Sequence, residues 1–215
     1  MMEAEEGCFM KVILVNGSPH EHGCTDRALS VVADSLRENE IDSEIFWVGV
    51  RPVSGCIACG LCRKMGRCAI NDRVNEFLDL AEDADGFVFG SPVHYAAASG
   101  AITSFLDRAF YAGGRLMRMK PAACIASARR AGTTAALDQL NKYLMINEMP
   151  VVSSCYWPMV HGAKVEDVLK DEEGVAIMQT LGRNMAWLLR AIEAGKAAGV
   201  NPPAPQPRPM TNFIR

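Results

Sequence analysis

Residues 12–16 are apolar or small enough to be buried together; they give way to a polar, glycine-bearing stretch, GSPHEHGCT, after which apolar residues recur at Leu29, Val32, Ala33 and Leu36. Continuous apolarity over a short run marks a strand covered on both faces, and a three-to-four spacing marks an amphipathic helix. The alternation continues along the chain. Strands are expected at 43–48, 86–90, 122–126 and 151–155, and helices at 75–84, 102–110, 134–146 and 172–197. In the last and longest helix Val175, Met178, Leu181, Met185, Leu188 and Ile192 share one face. Thr25 is expected to cap the first helix. Such alternation predicts an α/β fold: a doubly wound, five-stranded parallel sheet of order 2-1-3-4-5 between two helical layers, a three-layer α/β/α arrangement. On this reading residues 1–200 form a single domain. The segment 201–215, NPPAPQPRPMTNFIR, is too rich in proline for a helix or central strand and is expected to be an extended tail, suited to lie across a partner subunit.

A chain of 215 residues with ordinary apolar and charged fractions can bury one full core. Its net charge of −3 and scattered Lys and Arg give no basic stripe, which argues against nucleic acid or an anionic membrane as partner. The opening MMEAEEGCFM has no apolar signal core, and no run approaches a membrane span, so a cytoplasmic location is expected.

The loop after the first strand carries Gly17, Ser18, Gly23 and Thr25 and leads into a helix start, where free N–H groups and the helix dipole favour an anion. Its glycine spacing resembles a P-loop, but Cys24 stands where a P-loop carries its lysine, so a triphosphate has no counter-charge. A single phosphomonoester, held by backbone N–H groups and the Ser18 and Thr25 hydroxyls, fits better, as in a mononucleotide such as FMN; an ordinary glycine-containing βα turn is the alternative. In an open sheet of this order ligands bind beyond the carboxyl ends of the strands. The third strand ends in SPVHYAAASG and the fourth in SARRAG. Pro92 and Val93 can shape a loop under a flat ring, His94 and Tyr95 can face it or line its substrate side, and Arg129 or Arg130 can stabilise negative charge on a reduced ring. At single positions the plainer readings are a packing aromatic at Tyr95, a hydrogen-bonded loop histidine at His94, and a surface charge at one arginine.

The GSPHEHGCT loop, the GSPVHYAAASG segment with ITSFLDR after it, and the SARRAG turn resemble the flavodoxin-like NADPH-dependent FMN reductase family, and the resemblance extends through YWPMVHG and LGRNMAWLL to cover nearly the whole chain. It implies a flavodoxin-like fold binding FMN, a homodimer or homotetramer, and hydride supplied by NAD(P)H and passed to a small-molecule electron acceptor or redox protein. By the same resemblance Ser18, His20, Cys24 and Thr25 fall at phosphate-contact positions. Pro92, Val93, His94 and Tyr95 fall at the ring, and Ser127, Arg129 and Gly132 in a second ring-binding turn; His94, Tyr95 and Arg129 are the candidate catalytic residues, acting by ring positioning and charge tuning. The family often has Arg at the place of His20, Asn at that of Cys24 and Gly at that of Ala96.

A second signal is the quartet Cys56, Cys59, Cys62 and Cys68 in GCIACGLCRKMGRC. Three thiols at two-residue gaps with a fourth nearby can surround a 4Fe-4S cubane, whereas structural zinc takes two separated Cys-x-x-Cys pairs. Free redox-active thiols are the competing reading, with zinc behind both. The motif resembles that of iron-sulfur flavoproteins, relatives of the same fold in which a cluster passes single electrons to FMN. Cys124 and Arg130 have the spacing of a cysteine phosphatase, but Cys124 falls inside a strand, away from any helix N-terminus, which excludes that chemistry. The expected activity is an FMN-dependent NAD(P)H oxidoreductase with ping-pong kinetics in one shared cavity; the alternative is a non-enzymatic electron carrier.

Overall fold

A computed structural model describes residues 10–207, 209–211 and 213, so Cys8 and most of the acidic N-terminal stretch lie outside the described residues. The sheet runs β2-β1-β3-β5-β6, with β1 (Lys11–Asn16), β2 (Asp42–Trp47), β3 (Gly86–His94), β5 (Ala122–Ala128) and β6 (Met159–His161) all parallel. A sixth strand, β4 (Ala97–Ala98), folds back antiparallel on the end of β3. The parallel strands follow the expected order, and the fold is the flavodoxin-like α/β sandwich.

Alternating side chains of the central strands feed two cores. Val12, Leu14, Val88, Ala123 and Ile125 pack beneath α1 (Cys24–Glu38) and α7 (Glu172–Ala197). Ile13, Val15, Phe87, Phe89 and Cys124 face α3 (Arg73–Asp83), α4 (Gly100–Met117) and α5 (Thr133–Ile146). Because both faces are covered, period-two alternation vanishes from the sequence and leaves the unbroken apolar runs. Phe77 lies at the hub of the second core, with Phe46, Phe87, Phe89 and Phe105 at ring-centroid distances from 5.3 to 6.3 Å.

Several expectations need correction. The fifth strand is not 151–155: Val151 forms only an isolated bridge to Ala122, the chain leaves the sheet, and pairing resumes at Met159 against Ala126. Ser154 is diverted there, its hydroxyl donating to Ile177 O. Thr25 does not cap α1; Gly23 is the N-cap and Thr25 lies buried inside the first turn. Helix α4 runs past 110 to Met117, because Ala112 and Met117 extend its buried face. Strand β3 runs past Gly90 to His94, where the β4 hairpin holds it. Two short helices, α2 (Cys62–Met65) and α6 (Val165–Val168), had no periodic signal, being a single turn each. The described tail residues from 201 onward form neither helix nor strand and are exposed, with Pro203 O accepting from Arg118 Nη1. Among the described residues no helix is long and apolar enough to cross a membrane.

Candidate functional site

Parallel pairing of β1 with β3, and of β3 with β5, brings three strand-end loops side by side. The first, 17–23, is shaped from its root. Asn16, fully buried after the apolar run 12–15, accepts Ser18 N–H on Oδ1 at 3.0 Å and donates from Nδ2 to Glu21 O at 2.9 Å. Ser18 Oγ accepts His20 N–H at 3.1 Å, and Trp47 Nε1 donates to Ser18 O at 2.8 Å. Trp47 therefore fastens the loop as well as packing; Trp157 and Trp187 are exposed, so neither is a core residue. Gly17 lies so near α4 that a Cβ on it would come within 2.6 Å of Ile102 Cβ. The first N–H groups of α1, at Cys24 and Thr25, are open to an anion, as at any helix start. The Cys24 thiol is turned to Gly162 O at 3.7 Å, and burial, then the negative charges of Asp167 and Glu166, push its pKa up. Its side chain is thus a neutral thiol engaged elsewhere, and what Cys24 offers a phosphate is backbone.

The second loop is a two-residue hairpin. Tyr95 and Ala96, the turn pair between β3 and β4, take φ of 49° and 58°. Positive φ at both central positions is the mark of a type I′ turn, which ordinarily takes Asn-Gly. Holding Tyr and Ala there costs on the order of 1–3 kcal/mol each, and such strain persists only where surrounding contacts over-determine it. Three contacts hold it: Ala98 N donates to Gln139 Oε1, Ser99 N to Ser91 Oγ, and Ser99 Oγ to Gly17 O at 2.9 Å. His94 and Tyr95 are consequently presented to solvent at the tip, Tyr95 fully so. Pro92 and Val93 lie half-buried behind them.

The third loop, 128–132, is locked to the other two. The Thr25 and Ser127 hydroxyls meet at 2.8 Å, both buried. Gly132, at φ +95°, packs so tightly that a Cβ would stand 2.7 Å from Ala96 Cα and 2.8 Å from Val93 Cγ1. Arg129 and Arg130 project from this turn and are exposed. Of the expected phosphate and ring residues, Ser18 and His20 are joined directly, as are Thr25 and Ser127, and Gly132 joins Val93. Asn16, Trp47 and Ser99, which organise these loops, escaped the sequence reading; a lone buried Asn at the end of an apolar strand was the available signal.

A separate cavity of about 530 Å³ opens beyond β2. Cys56, Cys59, Cys62 and Cys68 all line it, with Asp107, Arg108 and Tyr111 from α4. Cys56 and Cys59 are exposed, and Cys62 and Cys68 half-buried. Left-handed backbone at Ala58, Gly60 and Gly66 coils the segment. Among the described residues no three His, Cys, Asp or Glu side chains close into a single-ion set. A cubane spreads its four thiolates wider than one ion does, and four cysteines around one cavity fit that donor set. Cys124, by contrast, is buried in β5 and burial pushes its thiol pKa well up, so the phosphatase-like spacing has no chemistry.

The family model described as NADPH-dependent FMN reductase matches residues 10–164, the span that contains all three strand-end loops and the quartet. The chain belongs to this family. Within the FMN reductase family, its similarity to iron-sulfur flavoproteins is direct. One from Methanocaldococcus jannaschii is 28% identical over 193 residues, covering 86% of this chain and 100% of that protein. Another, from Clostridioides difficile, is 30% identical over 139 residues, covering 63% of this chain and 62% of that protein. Among solved structures, a flavone reductase aligns with a TM-score of 0.66 at 19% identity, over 86% of this chain and 64% of that one. A flavodoxin, WrbA-like, from Agrobacterium tumefaciens gives 0.59 at 15% identity, over 85% and 97%. At those identities the likeness is one of fold.

Proposed function

We propose that this FMN reductase family member is an FMN-dependent NAD(P)H oxidoreductase whose cysteine quartet holds a 4Fe-4S cluster. The observation that carries the first part is the joining of three strand-end loops through Thr25 with Ser127, Ser99 with Gly17, and Gly132 against Val93 and Ala96. Ser18, His20 and the backbone at Cys24 and Thr25 hold the phosphate. Pro92 and Val93 support the ring, while His94 and Tyr95 at the hairpin tip face it or line its substrate side. Ser127, Arg129 and Gly132 hold the pyrimidine edge, where the exposed guanidinium of Arg129 balances negative charge. FMN, when bound, supplies acceptance of a hydride and its release as single electrons or pairs. No side chain needs to move a proton for the hydride to transfer, so these residues act by orientation and charge.

The electron acceptor is a small molecule or a redox protein, and the working unit is a homodimer or homotetramer. Reconstitution with FMN followed by NADPH and NADH oxidation in the presence of quinone, free flavin or ferricyanide tests the activity. Turnover with either nicotinamide is the expected result. Flavin retained without any nicotinamide oxidation would refute the reductase and leave an electron carrier.

A further inference from the structure

Arg108 in α4 is among the most deeply buried residues of the fold, 1% exposed, and is charged. One edge of its guanidinium grips Asp72, Nη1 to Oδ2 at 2.7 Å and Nη2 to Oδ1 at 2.8 Å. The other edge, Nε and Nη2, points two N–H groups at Cys68 Sγ, each at 3.3 Å. Nη1 and Nη2 also reach Ser54 O and Ile70 O, two residues outside the quartet at either end. The pair with Asp72 offsets the buried charge through Nη1 and Nη2, and Cys68 Sγ is the acceptor that the fold gives to Nε–H, so the two remaining directed donors of this buried side chain converge on one sulfur of the quartet.

We infer that Arg108 is a positioning residue for the cluster, which hydrogen-bonds the Cys68 ligand and thereby raises the reduction potential of the cubane. The inference rests on the quartet holding that cluster. Reduction adds negative charge shared by the cluster sulfurs and their thiolates, and N–H donors directed at a ligand sulfur stabilise the reduced state more than the oxidised one. Because Asp72 neutralises the guanidinium, the effect comes from the two directed N–H groups and not from net charge. The Cys68 backbone is held independently of Arg108. Asn75 Oδ1 accepts Cys68 N–H at 3.0 Å, and its Nδ2 donates to Cys68 O at 3.0 Å. A structural role and a tuning role can therefore be separated.

The double variant Arg108→Met with Asp72→Asn removes both N–H···S contacts while keeping the buried pair neutral and a capping side chain at the start of α3. Iron and acid-labile sulfide counts, with a potential titration followed by electron paramagnetic resonance, give readouts independent of turnover. We expect full iron in both proteins and about tenfold less reduced cluster in the variant at a fixed potential, a drop of ~59 mV for one electron. Arg108→Lys, which keeps a charge but loses the fork, should fall in the same direction and serves if the double variant does not fold. An iron-loaded variant with an unchanged potential, or one that loses its iron, overturns the tuning role alone. A wild-type chain that takes up no iron overturns the cluster and the tuning together.

Discussion

Replacing Gly132 by Ala tests whether the niche owes its shape to the third loop pressing on the hairpin. Two costs apply. At φ +95° an L-residue is strained by about 1–2 kcal/mol. The new Cβ also meets Ala96 Cα at 2.7 Å, backbone that cannot swing aside, and Val93 Cγ1 at 2.8 Å, so overpacking adds about 1–3 kcal/mol. Gly49 is a built-in control, with φ +93° and nothing within 4 Å of its would-be Cβ. Gly49→Ala should cost only the strain, and the change in unfolded-chain entropy is common to both variants and cancels. With an m-value of about 2 kcal/mol/M, the urea midpoint should fall by about 1–2.5 M for Gly132→Ala and about 0.5–1 M for Gly49→Ala. FMN affinity, read by quenching of flavin fluorescence, should weaken in the first variant only, because relief of the clash pushes the hairpin tip from the third loop. Equal midpoints and equal FMN affinities for the two variants would refute the claimed contact.

Thr25→Val should cost about 1–3 kcal/mol, since it leaves the buried Ser127 hydroxyl without its 2.8 Å partner, whereas Thr25→Ser should be close to wild type; identical urea midpoints for Val and Ser would contradict this. Burial holds the Lys120 ammonium below its ordinary value against the opposing pull of Asp85 and Asp83, while Nζ donates to Ala81 O and Glu82 O. The folded chain binds that proton less tightly than the unfolded one, so the penalty is fully present below the folded pKa and is relieved as pH rises toward 10.5. Wild-type stability should therefore gain on that of Lys120→Met across that alkaline window, and parallel urea-midpoint profiles for the two proteins would exclude the effect.

How far the letters alone reach is clearest in the strands. β1 and β5 were legible because burial on both faces writes an unbroken apolar run into any sequence. The segment 151–155, VVSSC, opens on two β-branched apolar residues after Pro150, yet only Val151 and Val152 touch the sheet, at Ala122. An edge segment can satisfy its apolar residues against the sheet end without staying paired, and nothing local records where pairing resumes. The three loops were legible as loops, and their adjacency followed from strand order. Their hydrogen-bonded closure was not, because Ser99 with Gly17, and Thr25 with Ser127, are separated by 82 and 102 residues.

What the sequence by itself determined is the run of central strands and longer helices, the family-like loop residues and the four cysteines at compact spacing, since each is written in residues close together along the chain. What only the tertiary structure decided is which way side chains turn once those pieces meet. Cys24 faces Gly162 and not the anion loop, Trp47 grips Ser18, and Arg108 reaches 40 residues back to Cys68. Long-range contacts depend on where packing leaves each side chain among its rotamers, and packing is a property of the whole core that no local pattern encodes.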